Sequence, residues 1–238
     1  MSSTKISIIL LLCLCVLNCE DKQSSTKSKS SKQFTETIDS TLTKDKEKTN
    51  NNRKYPFLTD ENAMEFLMEY GKDHKENKVR IVTDFGNIDI LLYDKTKFHR
   101  ANFIFLTKQN YFDYTQFYRV VNNFVIQGGN SDGMNIMKRR QKIGRYLLPP
   151  DTKRGYTHKR GAVSMPSSEI ENAYKLASPY QFFIVQAPNG AYHLDGSYTI
   201  FGEVIDGMDV VDAIAAVPTD KGEWPLENVF IKKVIILD

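Results

Sequence analysis

The chain has 238 residues, a formal net charge of +3 and 41% apolar residues, enough for one core of ordinary size and too little for two large ones. Its 3 cysteines, Cys13, Cys15 and Cys19, all lie at the extreme N-terminus, so the body of the chain holds no disulfide framework, thiol nucleophile or thiolate zinc cluster. Residues 20–54 carry 9 basic and 6 acidic side chains and residues 55–238 carry 22 and 23; the body is therefore nearly neutral, and bulk charge gives it no reason to bind nucleic acid.

Lys5 precedes an apolar run from Ile6 to Leu17 that ends at Asn18-Cys19. The run is shorter than the roughly 20 residues a membrane span needs and suits an export signal. Val16-Leu17-Asn18-Cys19 resembles a bacterial lipoprotein signal, with Asn18 departing from the usual small residue. That resemblance implies a signal peptide over 1–18, acylation of Cys19, and a lipid-anchored protein of the bacterial cell envelope facing the periplasm or the exterior; an ordinary secreted protein and an uncleaved signal anchor are the alternatives. Residues 19–54 are Ser, Thr, Lys, Asn and Asp with little apolar content, so they cannot bury enough surface to offset ordering entropy and are expected to form a disordered tether. The tether's lysines read more simply as a solvated tail than as specific lipid contacts.

Residues 55–77 are expected to form an accessory region. Thr59-Asp60 offers an N-cap, and Met64, Leu67 and Met68 supply an apolar stripe before Gly71. The main domain is expected over 78–238. Lys78–Thr83 and Ile88–Tyr93 flank turn residues and read as a hairpin. Thr96 can cap a helix to about Lys108, with Ala101, Phe105 and Leu106 facing inward. Short strands follow at Phe117–Val121, Phe124–Gln127, Ala162–Met165, Phe182–Gln186 and Tyr198–Val204, then a helix over Met208–Ala216 and a last strand over Val229–Leu237. Many short strands with two core helices favour a closed or nearly closed barrel over a doubly wound sheet. The segment from Gly128 to Gly161 reads as an irregular basic surface loop, or as a surface for an acidic partner. No heptad argues for assembly, so a monomer is expected.

Several chemistries find no support. His74, His99, His158 and His193 are dispersed without HExxH spacing, and neither GxGxxG nor GxxxxGK[ST] occurs. No metal or cofactor is expected. Ser164 sits in no nucleophile elbow. Strand alternation puts Arg119 on the face of Phe117 and Val121, and Phe124 on that of Ile126. An arginine among apolar side chains is either functional or a rim residue paired with a carboxylate.

The blocks Phe117-Tyr-Arg-Val-Val, Phe124-Val-Ile-Gln-Gly-Gly, Lys159-Arg-Gly-Ala-Val-Ser-Met165, Ser178-Pro-Tyr-Gln-Phe-Phe-Ile184 and His193-Leu-Asp-Gly-Ser-Tyr-Thr-Ile-Phe-Gly-Glu203 resemble, in order, those of the cyclophilins. These are peptidyl-prolyl cis-trans isomerases, and the resemblance spans about Val79 to Asp238. It implies a mainly β fold: a closed eight-stranded antiparallel barrel capped by two α-helices. It implies no cofactor and a substrate of proline-containing polypeptide. Arg119 takes the position of the catalytic arginine. Phe124, Val125, Phe183 and Leu194 take those of the proline pocket with Phe183 as its floor, and Gln127 and Gln181 lie beside the substrate backbone. Met165, His193 and Tyr198 complete the expected substrate contacts. Val125 stands where methionine is common, His193 where tryptophan is frequent, Tyr198 where histidine is frequent, and Met165-Pro166-Ser167 replaces Met-Ala-Asn. The competing reading is a tethered module that binds proline peptides, as a chaperone would, without turnover.

Overall fold

Residues 53–168 and 172–237 are described by the structure, a computed structural model. The proposed signal peptide, nearly all of the tether and Cys19 lie outside them. In chain order the elements are β1 (Leu58–Thr59), α1 (Ala63–Asp73), β2 (Lys78–Thr83), β3 (Asn87–Leu92), α2 (Lys97–Lys108), β4 (Thr115–Val121) and β5 (Val125–Asn130). Then come α3 (Met134–Ile143), β6 (Gly144–Arg145), β7 (Ala162–Met165), β8 (Phe182–Val185), β9 (Thr199–Asp206), α4 (Met208–Ala215) and β10 (Val229–Ile236).

Eight strands close a barrel in the order β10-β2-β3-β9-β7-β8-β5-β4, and their pairings are antiparallel. The alternating apolar residues of the first hairpin explain its register: Val79 pairs with Ile90 and Ile81 with Ile88, all four fully buried in the interior. Closure removes the edges that an open sheet would expose. Helix α2 packs against β9 and β10, and α4 against β3, β4 and β5.

Every residue of α2 from His99 to Thr107 is buried, well beyond the stripe expected from Ala101, Phe105 and Leu106. The reason is α1, which covers the outward face of α2. Gly71 permits that approach, since a Cβ there would sit 3.3 Å from the Ala101 Cβ. Tyr55, Phe66 and Tyr70 pack around Phe105 with ring centroids 5.0–5.3 Å from it. Helix α1 itself begins later than expected and faces differently. The Asn62 side chain accepts from the Thr59 N–H at 2.9 Å and donates to the Phe57 carbonyl, so the chain is still turning there. Ala63, Leu67 and Tyr70 form the buried face, and Met68, expected inward, is exposed.

The basic segment after Asn130 is not a structureless loop, because it contains α3. Only Ile136 and Ile143 of that helix are buried, and two of its arginines are bonded inward. Arg139 Nη1 donates to the carbonyls of Asn110, Tyr111 and Asp113 at 2.9, 3.3 and 2.6 Å. Arg140 Nη2 donates to Asn130 Oδ1 at 2.5 Å, and the guanidinium lies over the Tyr180 ring. After α3, Gly144 has φ +152°, and a Cβ there would fall 2.1 Å from the Leu58 carbonyl oxygen. Glycine therefore allows β6 to pair with β1 in parallel.

Candidate active site

Strands β7 and β8 are buried along their whole length, because the barrel wall carries apolar residues on both faces there. Phe182 and Ile184 point into the interior, while Phe183 and Val185 join a second cluster outside it with Val125, Ala162, Ala187, Ala191 and Ile200. Phe124, Leu194 and Tyr198 pack partly buried against that outer cluster. Period-two alternation in β8 thus divides one apolar run between the core and a surface pocket.

A bulge brings Arg119 to this pocket. The β4–β5 register shifts between Phe117, opposite Gly128, and Arg119, opposite Gln127, so Arg119 leaves the face of Phe117, which faces the interior. The expectation that the two share a face fails for this reason. Phe124 likewise departs from the face of Ile126. It precedes β5 in the hairpin turn, where Asn123 adopts φ +60°, a conformation asparagine tolerates. The Phe124 carbonyl is held by the N–H groups of Gln186 and Ala187 at 2.8 and 3.0 Å, and Gln186 Oε1 accepts from the Asn123 N–H at 2.8 Å.

Arg119, Phe124, Val125, Gln127, Phe183, Leu194 and Tyr198, seven of the ten residues expected at the site, line one cavity of about 220 Å³ together with Pro166. The Phe183 ring is stacked on His158 at 5.9 Å and 10° and meets Tyr198 edge-on at 5.8 Å. The other three lie elsewhere. His193 is exposed, stacked on Phe124 at 5.5 Å. Gln181 lines a neighbouring cavity of about 470 Å³ that also touches Arg140, Tyr146 and Phe57. Met165 is 1% exposed within the interior cluster, because its position in β7 points inward, and Pro166 takes the cavity wall.

Residues not singled out from sequence complete the arrangement. Tyr118 OH accepts from Gln127 Nε2 and donates to Gln181 Oε1 at 2.5 Å, so the two glutamines are joined through one hydroxyl. Glu223 meets Arg119, its Oε2 lying 2.7 Å from both Nε and Nη2. Both partners are partly exposed, at 34% and 43%.

Beneath the pocket floor, Ser164, His158 and Asp195 stand in sequence. His158 Nδ1 lies 2.6 Å from Asp195 Oδ1, and Nε2 lies 3.2 Å from Ser164 Oγ. This is not a hydrolytic triad: Ser164 and His158 are 0% exposed, and Ser164 Oγ donates to the Thr199 carbonyl at 2.8 Å, so no substrate reaches the hydroxyl. Burial pushes the His158 imidazole below the ordinary histidine range, against the pull of Asp195. Among the described residues no group of three His, Cys, Asp or Glu side chains gathers as metal ligands.

The family model for cyclophilin type peptidyl-prolyl cis-trans isomerase matches residues 78–236. Peptidyl-prolyl cis-trans isomerase-like 2 of Rhizopus delemar is 35% identical over 167 residues, covering 69% of this chain and 30% of that protein. Peptidyl-prolyl cis-trans isomerase B of Escherichia coli is 31% identical over 166 residues, covering 65% of this chain and 96% of its own. The chain therefore spans under a third of the Rhizopus protein and nearly all of the bacterial one. A crystal structure of a Cryptosporidium parvum cyclophilin type isomerase superposes with a TM-score of 0.57 at 27% identity, covering 68% of this chain and 98% of that one. By fold and by sequence, the chain belongs to the cyclophilin-type peptidyl-prolyl cis-trans isomerase family.

Proposed function

We propose that the chain catalyses cis-trans isomerisation of X-Pro bonds in exported polypeptides. The observation that carries this reading is a guanidinium, Arg119, on the wall of an otherwise largely apolar cavity of about 220 Å³. Membership of the family supports it, as does a relative from Cryptosporidium parvum crystallised in the presence of the dipeptide ala-pro.

Amide resonance sets a rotation barrier of roughly 18–20 kcal/mol, which makes uncatalysed exchange at proline slow. Phe124, Val125, Phe183, Leu194 and Tyr198 hold the pyrrolidine ring and fix one half of the bond. As the bond twists, resonance is lost and a lone pair localises on the prolyl nitrogen, where an Arg119 N–H donates to it. That hydrogen bond forms chiefly at the top of the barrier, and interactions stronger there than in the ground state are the ones that accelerate a reaction. Gln127 and Gln181, linked through Tyr118, guide the peptide on the other side of the bond. No proton is transferred and no covalent intermediate forms.

A protease-coupled isomerisation assay on the purified chain and on Arg119→Ala tests this. The variant is expected to lose at least about tenfold in kcat/KM, or about 1.4 kcal/mol, with unchanged circular dichroism. Equal turnover in the two proteins overturns the assignment, and retained proline-peptide affinity without turnover in the parent points to a binding module.

The exported location rests on residues 1–19. With Cys19 acylated, the polar residues after it let the domain search a volume near the membrane. Cys19→Ser is expected to shift the protein from the membrane fraction to the soluble fraction of cells expressing it. Unaltered membrane retention counts against the anchor.

A further inference from the structure

We propose that Glu223 is a positioning residue for the isomerase site, presenting Arg119 to the substrate with one corner of the guanidinium occupied and the other open. The inference rests on the isomerase reading above and adds a residue to it. A single carboxylate oxygen, Glu223 Oε2, takes both Nε and Nη2 of Arg119 at 2.7 Å. Nη1 has no partner among the described residues and is the donor left for the prolyl nitrogen. Arg119 has a long rotatable stem, and a partly exposed arginine without a partner samples many rotamers. Holding it in one of them before substrate arrives removes an ordering cost from the transition state.

Three features separate this from an incidental surface ion pair. First, both backbones are pinned to each other: the Glu223 carbonyl accepts from the N–H of Val120, the residue after Arg119 in β4, at 2.8 Å. Second, the loop carrying Glu223 is fixed internally. Asp220 Oδ1 accepts from the N–H groups of Gly222 and Trp224 at 2.8 and 3.0 Å, and the Leu226 N–H donates to the Pro218 carbonyl at 2.9 Å. The Trp224 ring lies 5.8 Å from that of Tyr118, the residue before Arg119. Third, Glu223 holds φ +66°, an unfavourable conformation for a non-glycine residue that the loop sustains at the point where the carboxylate meets the guanidinium. An ion pair this exposed contributes little to fold stability, so its fixed geometry is better explained by what it does to Arg119.

The experiment measures kcat and KM for the full chain, Glu223→Gln, Glu223→Ala, Arg119→Ala and the double variant R119A/E223A, beside the ¹⁵Nε–H resonance of Arg119. Glu223→Ala is expected to lower kcat/KM three- to tenfold, with KM little changed, and to broaden or shift the Nε–H signal. Glu223→Gln keeps an acceptor oxygen at the same reach and recovers part of the loss. The double variant should match R119A, because Glu223 acts through Arg119 alone. Full activity in Glu223→Ala, or a double variant lower than R119A by the same factor as the single change, overturns the inference. A failure of the isomerase reading is seen separately, in a parent chain and R119A that turn over alike.

Discussion

His99 should make the fold lose stability on mild acidification. Its ring is 1% exposed in α2, neither nitrogen has a hydrogen-bond partner among the described residues, and it stacks loosely on Phe201 of β9 with centroids 6.5 Å apart. Burial lowers its pKa from about 6.5 to about 4, opposed only in part by the charge of Asp151. Between those values the unfolded chain binds a proton that the folded barrel refuses. The stability tied to this group is therefore complete above about pH 6.5 and falls away as pH drops towards about 4. At about 1.4 kcal/mol per pH unit the loss amounts to about 3 kcal/mol. Carboxylates held below their ordinary range, such as Asp89 beside Arg80 and Asp212 beside Arg160, also lose stability in acid, so the parent profile alone is not diagnostic. The contrast with His99→Leu isolates the imidazole. Urea unfolding of both proteins at about pH 7 and about pH 4 gives the two differences. The variant, with no buried nitrogens to satisfy, should equal or exceed the parent at neutral pH within the cost of repacking, and its advantage should grow by about 3 kcal/mol at the acid end. Parallel profiles would refute the assignment of that acid sensitivity to His99.

Arg139→Ala should destabilise the fold by about 2 kcal/mol, with a Tm drop of several degrees, because three backbone carbonyls lose the guanidinium donor and, among the described residues, only that of Asn110 keeps a second one, the Asp113 N–H. The exposed Lys138 beside it should tolerate alanine within about 0.5 kcal/mol, and equal losses at the two positions in calorimetry would show that Arg139 is no more structural than its neighbour.

How far the sequence reached depends on the range of the interaction concerned. The strands of the barrel and the boundaries of α4 were legible because each is set by alternation or by flanking turn residues within a few positions. Helix α3 was not, because its inward residues, Ile136 and Ile143, are seven apart and separated by a run of cations that resembles a solvated loop. The flanking Gly133 and Gly144 were the available signal, and they are compatible with a turn as well as with helix ends. The full burial of α2 depends on α1, an element whose packing partner no local pattern names.

The site follows the same rule. Phe183, Leu194 and Tyr198 are legible through the cyclophilin-like blocks that contain them, since the polar stretch Tyr192-His-Leu-Asp-Gly-Ser-Tyr198 carries no local apolar pattern that would single out Leu194 or Tyr198. The side of the sheet on which Arg119 emerges is set by one extra residue in β4, which the alternation of β4 alone does not reveal. The two readings open for that arginine, functional donor or rim residue paired with a carboxylate, then turn out to be compatible. Its Nε and Nη2 hold Glu223, 104 positions along the chain, while its side chain lines the apolar cavity. On the proposed function, a charge that looks redundant in a nearly neutral domain is shared between Glu223, which holds two of its nitrogens, and the substrate amide it is expected to stabilise.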